Sequence, residues 1–302
     1  MHSAKLRADI YLLITAIIWG FSFVSQRMGM DAMQPYGFNA VRFLLAALSL
    51  IPVIWLMRNS AIERAHKNDS LASLIKAGLI CGLFLFAGSS LQQIGIQYTT
   101  AGKAAFITGL YLVLVPVLGI YFLHEKTAIY TWLGAGLAVV GLYFLSINAE
   151  LDINRGDVLE LLGSFFWAGH VLAVFHWGRH FSPLKLSLVQ ITVCMLLSFI
   201  AAFSFETLLW SQIRVTVGPL LFAGIGSVGI AYTLQILGQR EAPPAHAAVI
   251  LSMETVFAAF GGWLFLTEVL TGRELFGCLL MLAGMLLSQS GAWRKQAKGT
   301  LS

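Results

Sequence analysis

Apolar runs of about 20 residues, separated by short polar connectors, make up most of this chain. Ten stand near 9–27, 36–57, 72–93, 104–123, 128–147, 157–177, 184–205, 216–237, 245–266 and 272–290. A helix of that length rises about 30 Å, the thickness of a bilayer's hydrocarbon core. Turn-forming residues fall between the runs: Pro35, Asn59–Ser60, Asn148, Ser182–Pro183 and Pro243–Pro244. Ala104–Leu123 carries no charge, whereas 157–177 holds Glu160, His170 and His176, and 72–93 ends in Gln92–Gln93. The pattern predicts an all-α integral membrane protein with ten transmembrane helices. Lys5 and Arg7 ahead of the apolar stretch from Ile10 resemble a signal peptide, but no clear cleavage site follows, so this segment is read as the first span.

Composition agrees. Hydrophobic residues reach 58% and charged residues only 11%, against about 25% charged in soluble domains. A soluble fold lacks its charged shell here. The net charge of +5 would suggest a nucleic-acid partner in a soluble protein. Here the lysines and arginines lie between apolar runs, so membrane orientation accounts for them and no nucleic-acid partner is expected. Cys81, Cys194 and Cys278 each sit in an apolar run without a CxxC pair, as small core residues do.

Ten spans put both termini on one side. That side holds Lys5, Arg7, Arg58, Arg64, Lys67, Lys76, Lys126, Arg179, Lys185, Arg240, Arg294, Lys295 and Lys298; the other holds Arg27, Lys103, Arg155, Arg214 and Arg273. By the positive-inside rule both termini are cytoplasmic. Size and the lack of targeting signals suggest a bacterial inner membrane.

The chain also repeats itself. Asp9, Trp19 and Pro35 align with Asp157, Trp167 and Pro183 at an offset of 148. In the last three spans the offset is 143, where Leu91–Gln92, Ala104–Ala105, Gly119, Glu125, Gly134 and Gly141 align with Leu234–Gln235, Ala247–Ala248, Gly262, Glu268, Gly277 and Gly284. The expected units are a first five-helix repeat, 8–147, a second, 157–290, and a cytoplasmic tail, 291–302. Five is odd, so the second copy enters the membrane upside down. Two inverted five-helix repeats supply outward-open and inward-open states from one architecture, which a transporter needs and a channel or receptor does not.

Ile18–Trp19–Gly20, Arg42–Phe43, Ala104–Ala105–Phe106–Ile107, Ala247–Ala248–Val249–Ile250 and the helix ends Phe122–Leu123–His124–Glu125 and Phe265–Leu266–Thr267–Glu268 occur in an order that resembles the drug/metabolite transporter superfamily, specifically its EamA-type ten-helix exporters. The resemblance covers about residues 8–290. It implies alternating access around a central cavity lined by the first four helices of each half. It also implies dimer packing through the fifth and tenth helices, hence a homodimer. Family substrates run from amino acids to nucleotide or sugar metabolites and drugs, and the resemblance does not choose among them.

Ionisable groups inside a membrane cost about 2.5–3.5 kcal/mol each on insertion scales, so they face a cavity or find a partner. Glu254 lies mid-way along the ninth run, and Tyr111 is its repeat mate; an inverted repeat sets the two on opposite walls of one cavity. Glu254 either binds a substrate amine or proton, or is a hydrogen-bonded structural acid. Arg42 either forks onto a substrate carboxylate, snorkels outward, or pairs with Glu254. Trp19 and Trp167 sit at mid-depth, to wall a cavity or to pack helices. His170, one turn beyond Trp167, is either titratable or structural. Gln92, Gln93, Tyr98, Tyr232 and Gln235 offer hydrogen bonds near the cavity ends, Tyr232 and Gln235 from one helix face. The 58–71 connector, with Glu63, reads as solvated, and Glu125 and Glu268 as caps or partners of Lys126 and Arg273. No GxxxxGK[ST], HExxH, GxSxG or Cys/His cluster appears, so no ATP site, metal or other cofactor is expected. The expectation is a non-enzymatic exporter of small amphipathic metabolites such as amino acids, facilitative or proton-linked, with Trp19, Arg42, Tyr111, Trp167, His170, Tyr232, Gln235 and Glu254 binding substrate. The alternatives are a drug or nucleotide/sugar-metabolite transporter of the same fold and a non-transporting receptor or scaffold.

Overall fold

The computed structural model describes residues 2–60, 63, 65–66, 69–146, 154–267, 269 and 271–299. Among these every regular element is a helix. They are α1 (His2–Gly29), α2 (Pro35–Met57), α3 (Leu71–Gly95), α4 (Ala101–Gly109), α5 (Tyr111–Leu123), α6 (Ile129–Ser146), α7 (Arg155–Gly178), α8 (Pro183–Phe205), α9 (Trp210–Val215), α10 (Val217–Leu221), a π-helical segment (Phe222–Ala231), α11 (Tyr232–Gln239), α12 (Pro244–Leu251), α13 (Glu254–Phe265) and α14 (Gly272–Gly299).

Eight helical stretches among the described residues are long and apolar enough to cross a bilayer. Three are composites: α4 with α5, α10 with the π segment and α11, and α12 with α13. The other two predicted runs fall on α6 and α14, whose apolar stretches Ile129–Gly141 and Leu275–Ser288 are shorter. The backbone of α14 continues as a helix to Gly299, through residues 291–299 of the expected tail; 300–302 lie outside the described residues.

Helix starts follow local chemistry. Proline opens α2, α8 and α12, where its missing N–H costs nothing. Ser70, Thr100 and Ser182 accept the N–H of Ser73, Lys103 and Lys185 at the starts of α3, α4 and α8. A reciprocal capping box between Asn154 and Asp157 opens α7. Two helices end on left-handed residues, His124 (φ 54°) after α5 and Thr267 (φ 56°) after α13.

The packing inverts that of a soluble protein. Leu56, Tyr121 and Phe205 point outward, each more than two-thirds exposed, as lipid permits, while Glu160, His170, Gln190 and Gln235 are fully buried. Small residues set the closest helix contact, α6 on α14. A Cβ at Gly134 would lie 2.5 Å from the Gly284 carbonyl oxygen, and one at Gly141 would lie 2.6 Å from that of Gly277. Gly136, on the outer side of α6, faces open space instead.

The 58–71 connector is not uniformly solvated. Glu63 is buried, its carboxylate accepts the Ser182 hydroxyl, and Lys185 Nζ stands 3.6 Å away. The α7–α8 turn folds over it and supplies both partners. Arg64, Lys67 and Glu268 lie outside the described residues, and with Glu268 the expected pairing to Arg273. The Arg273 guanidinium stands over the rings of Tyr143 and Phe144.

Candidate functional site

Two of the composite spans are broken half-way. The first stops at Gly109 and restarts at Tyr111; the second stops at Leu251 and restarts at Glu254. Each break turns the first residue of the second half-helix inward. Tyr111 and Glu254 are both buried and line one cavity. The Tyr111 hydroxyl, on the wall it shares with Glu254, has no hydrogen-bond partner. The breaks are tight: Leu110 and Met253 keep right-handed helical dihedrals, and Val113 and Val256 donate their N–H to the carbonyls of Leu110 and Met253, three residues back.

A third irregularity completes the wall. The run Phe222–Ala231, rich in glycine, winds as a π-helix, and its Ser227 carbonyl accepts Trp19 Nε1 at 3.1 Å. Gly224 lets this segment approach α2, where a Cβ would lie 2.8 Å from the Arg42 carbonyl oxygen. Single π turns recur at functional sites because they redirect side chains out of helical register.

All eight residues picked from the sequence, Trp19, Arg42, Tyr111, Trp167, His170, Tyr232, Gln235 and Glu254, line this cavity. The aromatic rings form a cluster centred on Tyr232. Its centroid is 4.9 Å from Trp19, 6.4 Å from Trp167 in stacked orientation, and 5.6 Å from His170 edge-on. His170 Nε2 donates to Gln190 Oε1 at 3.0 Å, leaving Nδ1 as a buried acceptor without a partner.

Arg42 takes neither structural role open to it from sequence. It is 4% exposed, so it does not snorkel, and it makes no salt bridge among the described residues, to Glu254 or otherwise. Its guanidinium stands 5.7 Å and 5.2 Å from the ring centroids of Phe38 and Phe43, and its Nε has no hydrogen-bond partner. Trp167 Nε1, the Tyr111 hydroxyl and both side-chain polar atoms of Gln235 are likewise buried without partners. Native interiors leave few such atoms. These four residues share one cavity. The space open to water-sized spheres is about 30 Å³, room for two or three waters, so a larger guest needs the helices to move.

Ser22, Gln26, Thr108 and Ser227 also line the cavity, and the sequence reading does not include them. A signal exists for two of them, since Trp19, Ser22 and Gln26 recur at spacings of three and four along one face of α1. Of the groups expected at the cavity ends, Gln92 lines it and bonds Gln26 at 2.9 Å. Gln93 instead bonds the Gln26 carbonyl, and Tyr98 is half exposed beneath the Arg155 guanidinium, since both lie past the cavity's edge.

Two side-chain contacts also cross between the halves. Asp157 on α7 meets Lys103 on α4 at 2.7 Å. Asp9 on α1 meets His246 on α12 at 3.0 Å, and the other ring nitrogen of His246 stands 3.2 Å from the Ser288 hydroxyl.

Comparison with known proteins gives this geometry its class. A model of the EamA-like transporter family matches the chain twice, over residues 6–147 and 154–289. An uncharacterized transporter of Archaeoglobus fulgidus is 32% identical over 94% of this chain and 86% of its own. A probable amino-acid metabolite efflux pump of Escherichia coli K12 is 23% identical over 96% of this chain and 97% of its own. A solved crystal structure superposes with a TM-score of 0.72 over 97% of this chain and 99% of that one, at 17% identity, which is a likeness of fold.

Proposed function

We propose, from the premise that this chain belongs to the EamA-like transporter family, that it exports small amphipathic metabolites such as amino acids by alternating access. The family is a class of membrane transporters, not enzymes, so a small-molecule substrate and a lipid bilayer are given. Ten spans as two inverted repeats, cytoplasmic termini, a bacterial inner membrane and proton linkage are what we add.

One observation carries the proposal: contacts between the halves recur with their partners exchanged. Gly134 against Gly284 becomes, after adding and subtracting the offset of 143, Gly277 against Gly141, and both contacts are made. Asp9 with His246 becomes Asp157 with Lys103, and both pairs are made. Such reciprocity is the signature of a two-fold axis. The breaks at Leu110 and Met253 and the left-handed residues His124 and Thr267 keep the same offset. An axis lying in the membrane plane makes the two faces of the cavity interconvertible.

In this mechanism the Arg42 guanidinium receives a carboxylate and Glu254 receives an amine or a proton, with the rings of Trp19, Trp167 and Tyr232 enclosing the apolar part. The printed name of the Escherichia coli relative, an amino-acid metabolite efflux pump, supports that substrate class and direction. Transport of a panel of labelled amino acids by reconstituted protein under a pH gradient tests it. Glu254→Gln should lower the gradient-driven rate about tenfold or more, as for loss of a proton-transfer group. A rate equal to that of the parent removes Glu254 from the mechanism.

A further inference from the structure

Glu160 has no solvent exposure and lies one helical turn inside Asp157 on α7. The Thr108 hydroxyl donates to Glu160 Oε2 at 3.0 Å. Oε1 is buried without a partner and is pressed against α3, where a Cβ at Gly95 would fall 2.9 Å from it. Among the described residues Glu160 makes no ion pair. Of the elements packed on α7, α4 brings Lys103 and Thr108, α3 brings Gly95 and Gln92, α5 brings Tyr111, α11 brings Tyr232 and α12 brings His246, which is held by Asp9. The charged group acting on Glu160 is Asp157, which holds Lys103 through Oδ2 and leaves its own Oδ1 buried and unpartnered.

A line of groups therefore follows the α4–α7 seam from the membrane face to the cavity. It runs from half-exposed Lys103 through Asp157 and Glu160 to Thr108, whose side chain belongs to the cavity wall. Three residues of helix separate the two acids by about 4.5 Å along its axis. A buried carboxyl with one oxygen idle is a poor packing element, since glutamine or leucine would fill the space without the desolvation cost. Only an acid can take up and release a proton there.

We propose that Glu160 is a second proton-binding site, loaded from the central cavity through the Thr108 hydroxyl, with Asp157 and Lys103 one helical turn beyond it. A proton arriving from the cavity settles on the Thr108 oxygen as Thr108 passes its own proton to Glu160 Oε2, so the hydroxyl ends with the composition it began with. The reverse transfer discharges Glu160. This rests on the alternating-access function proposed above, to which it adds the route of the coupling ion.

Infrared spectroscopy of the full-length protein in lipid, transferred from water to deuterium oxide, tests the site without any substrate. We expect a protonated-carboxyl band that Glu160→Gln removes and that exchanges in the parent. Thr108→Val should slow its exchange by about tenfold or more, and Thr108→Ser should restore it. Absence of the band, a band that does not exchange, or exchange unaffected by Thr108→Val overturns the proposal. In liposomes Glu160→Gln should keep the exchange of labelled amino acids and lose their accumulation under a pH gradient. Accumulation equal to the parent's overturns it too. Should Glu254→Gln prove inert while the Glu160 band behaves as described, the role of Glu254 fails and that of Glu160 stands; with the opposite pair of results, Glu254 keeps its role and Glu160 loses its own.

Discussion

The two cross-half side-chain pairs should act as opposed latches, and breaking one should open one face. Asp157→Asn removes the charge that Lys103 meets at 2.7 Å while keeping the size of the capping residue at the start of α7. The Asp157 side chain is 7% exposed and Lys103 33%, so the pair stands between the exposed kind, worth about 0–1 kcal/mol, and the buried kind, whose breaking costs about 3–5 kcal/mol. A loss of about 1–2 kcal/mol is expected, and at 1.4 kcal/mol per tenfold this shifts the balance between closed and open forms by roughly 5–30-fold. Asp9→Asn should do the same at the other face, where both partners are largely buried.

A single cysteine at Ser227, on the cavity wall, reports the shift once Cys81, Cys194 and Cys278 are replaced. A membrane-impermeant thiol reagent is applied to each face of sealed vesicles in turn. Asp157→Asn should speed labelling from the Lys103 face and slow it from the other, and Asp9→Asn should do the converse. Equal changes from both faces in either variant, or none, would refute the latch assignment and with it the symmetry that pairs the two contacts.

Three further outcomes rest on the packing. Gly20→Ala places a Cβ 2.4 Å from Phe257 Cβ and 2.6 Å from the Glu254 carbonyl oxygen, a clash with backbone worth about 1–3 kcal/mol; thermal unfolding should register it, while Gly136→Ala, which meets nothing within 4 Å, should leave the midpoint unchanged. Arg42→Met removes a buried guanidinium without a salt bridge, so it should stabilise the fold by about 1–3 kcal/mol and abolish transport; a lowered unfolding midpoint would show that Arg42 holds the structure together. Glu206 follows α8 and accepts the N–H groups of Tyr36 and Gly37 at the start of α2, at 2.9 and 2.7 Å. Burial lifts its carboxyl above the usual range, and those two hydrogen bonds only partly offset the rise. The folded state thus holds this proton more tightly than the unfolded one, so stability declines as pH rises through the folded-state value, and Glu206→Gln should flatten that slope.

Helix positions are readable from the chain because lipid dictates them: every backbone polar group must be paired within its own helix, and about 20 apolar residues are needed to cross. The cavity residues are readable for a related reason. Glu254, Arg42 and His170 are costly inside a membrane, so each points to a place where the cost is offset. The interruptions are not readable. Nothing but Gly109 hints at the break before Tyr111, and Ser252–Met253 hints even less, since each is a local loss of helical bonding settled by how neighbouring helices pack. The same holds for the π turn at Phe222–Ala231, which depends on Gly224 meeting α2. In the sequence Glu160 is only a flaw in a weak span. Its meaning is tertiary, because Thr108 lies 52 residues away in sequence.

The places where the repeats agree and disagree divide structure from chemistry. Gly134 and Gly277, and Gly141 and Gly284, are identical and lie at the α6–α14 contact, as the proposed two-fold relation between the halves would require; Pro35 and Pro183 are identical too. At the cavity the mates differ: Tyr111 against Glu254, and Arg42 against Gln190. A strictly symmetric cavity would hold two carboxyls and two guanidiniums and would bind a small substrate equally in two opposite orientations. In the proposed mechanism, keeping one Glu and one Arg would fix a single orientation, acid end to Arg42 and amine end to Glu254. The latches are asymmetric as well, lysine at one face and histidine at the other. His246→Lys, which makes the two latches alike, should therefore bring the labelling rates from the two faces closer together, and rates that stay as unequal as in the parent would locate the bias elsewhere.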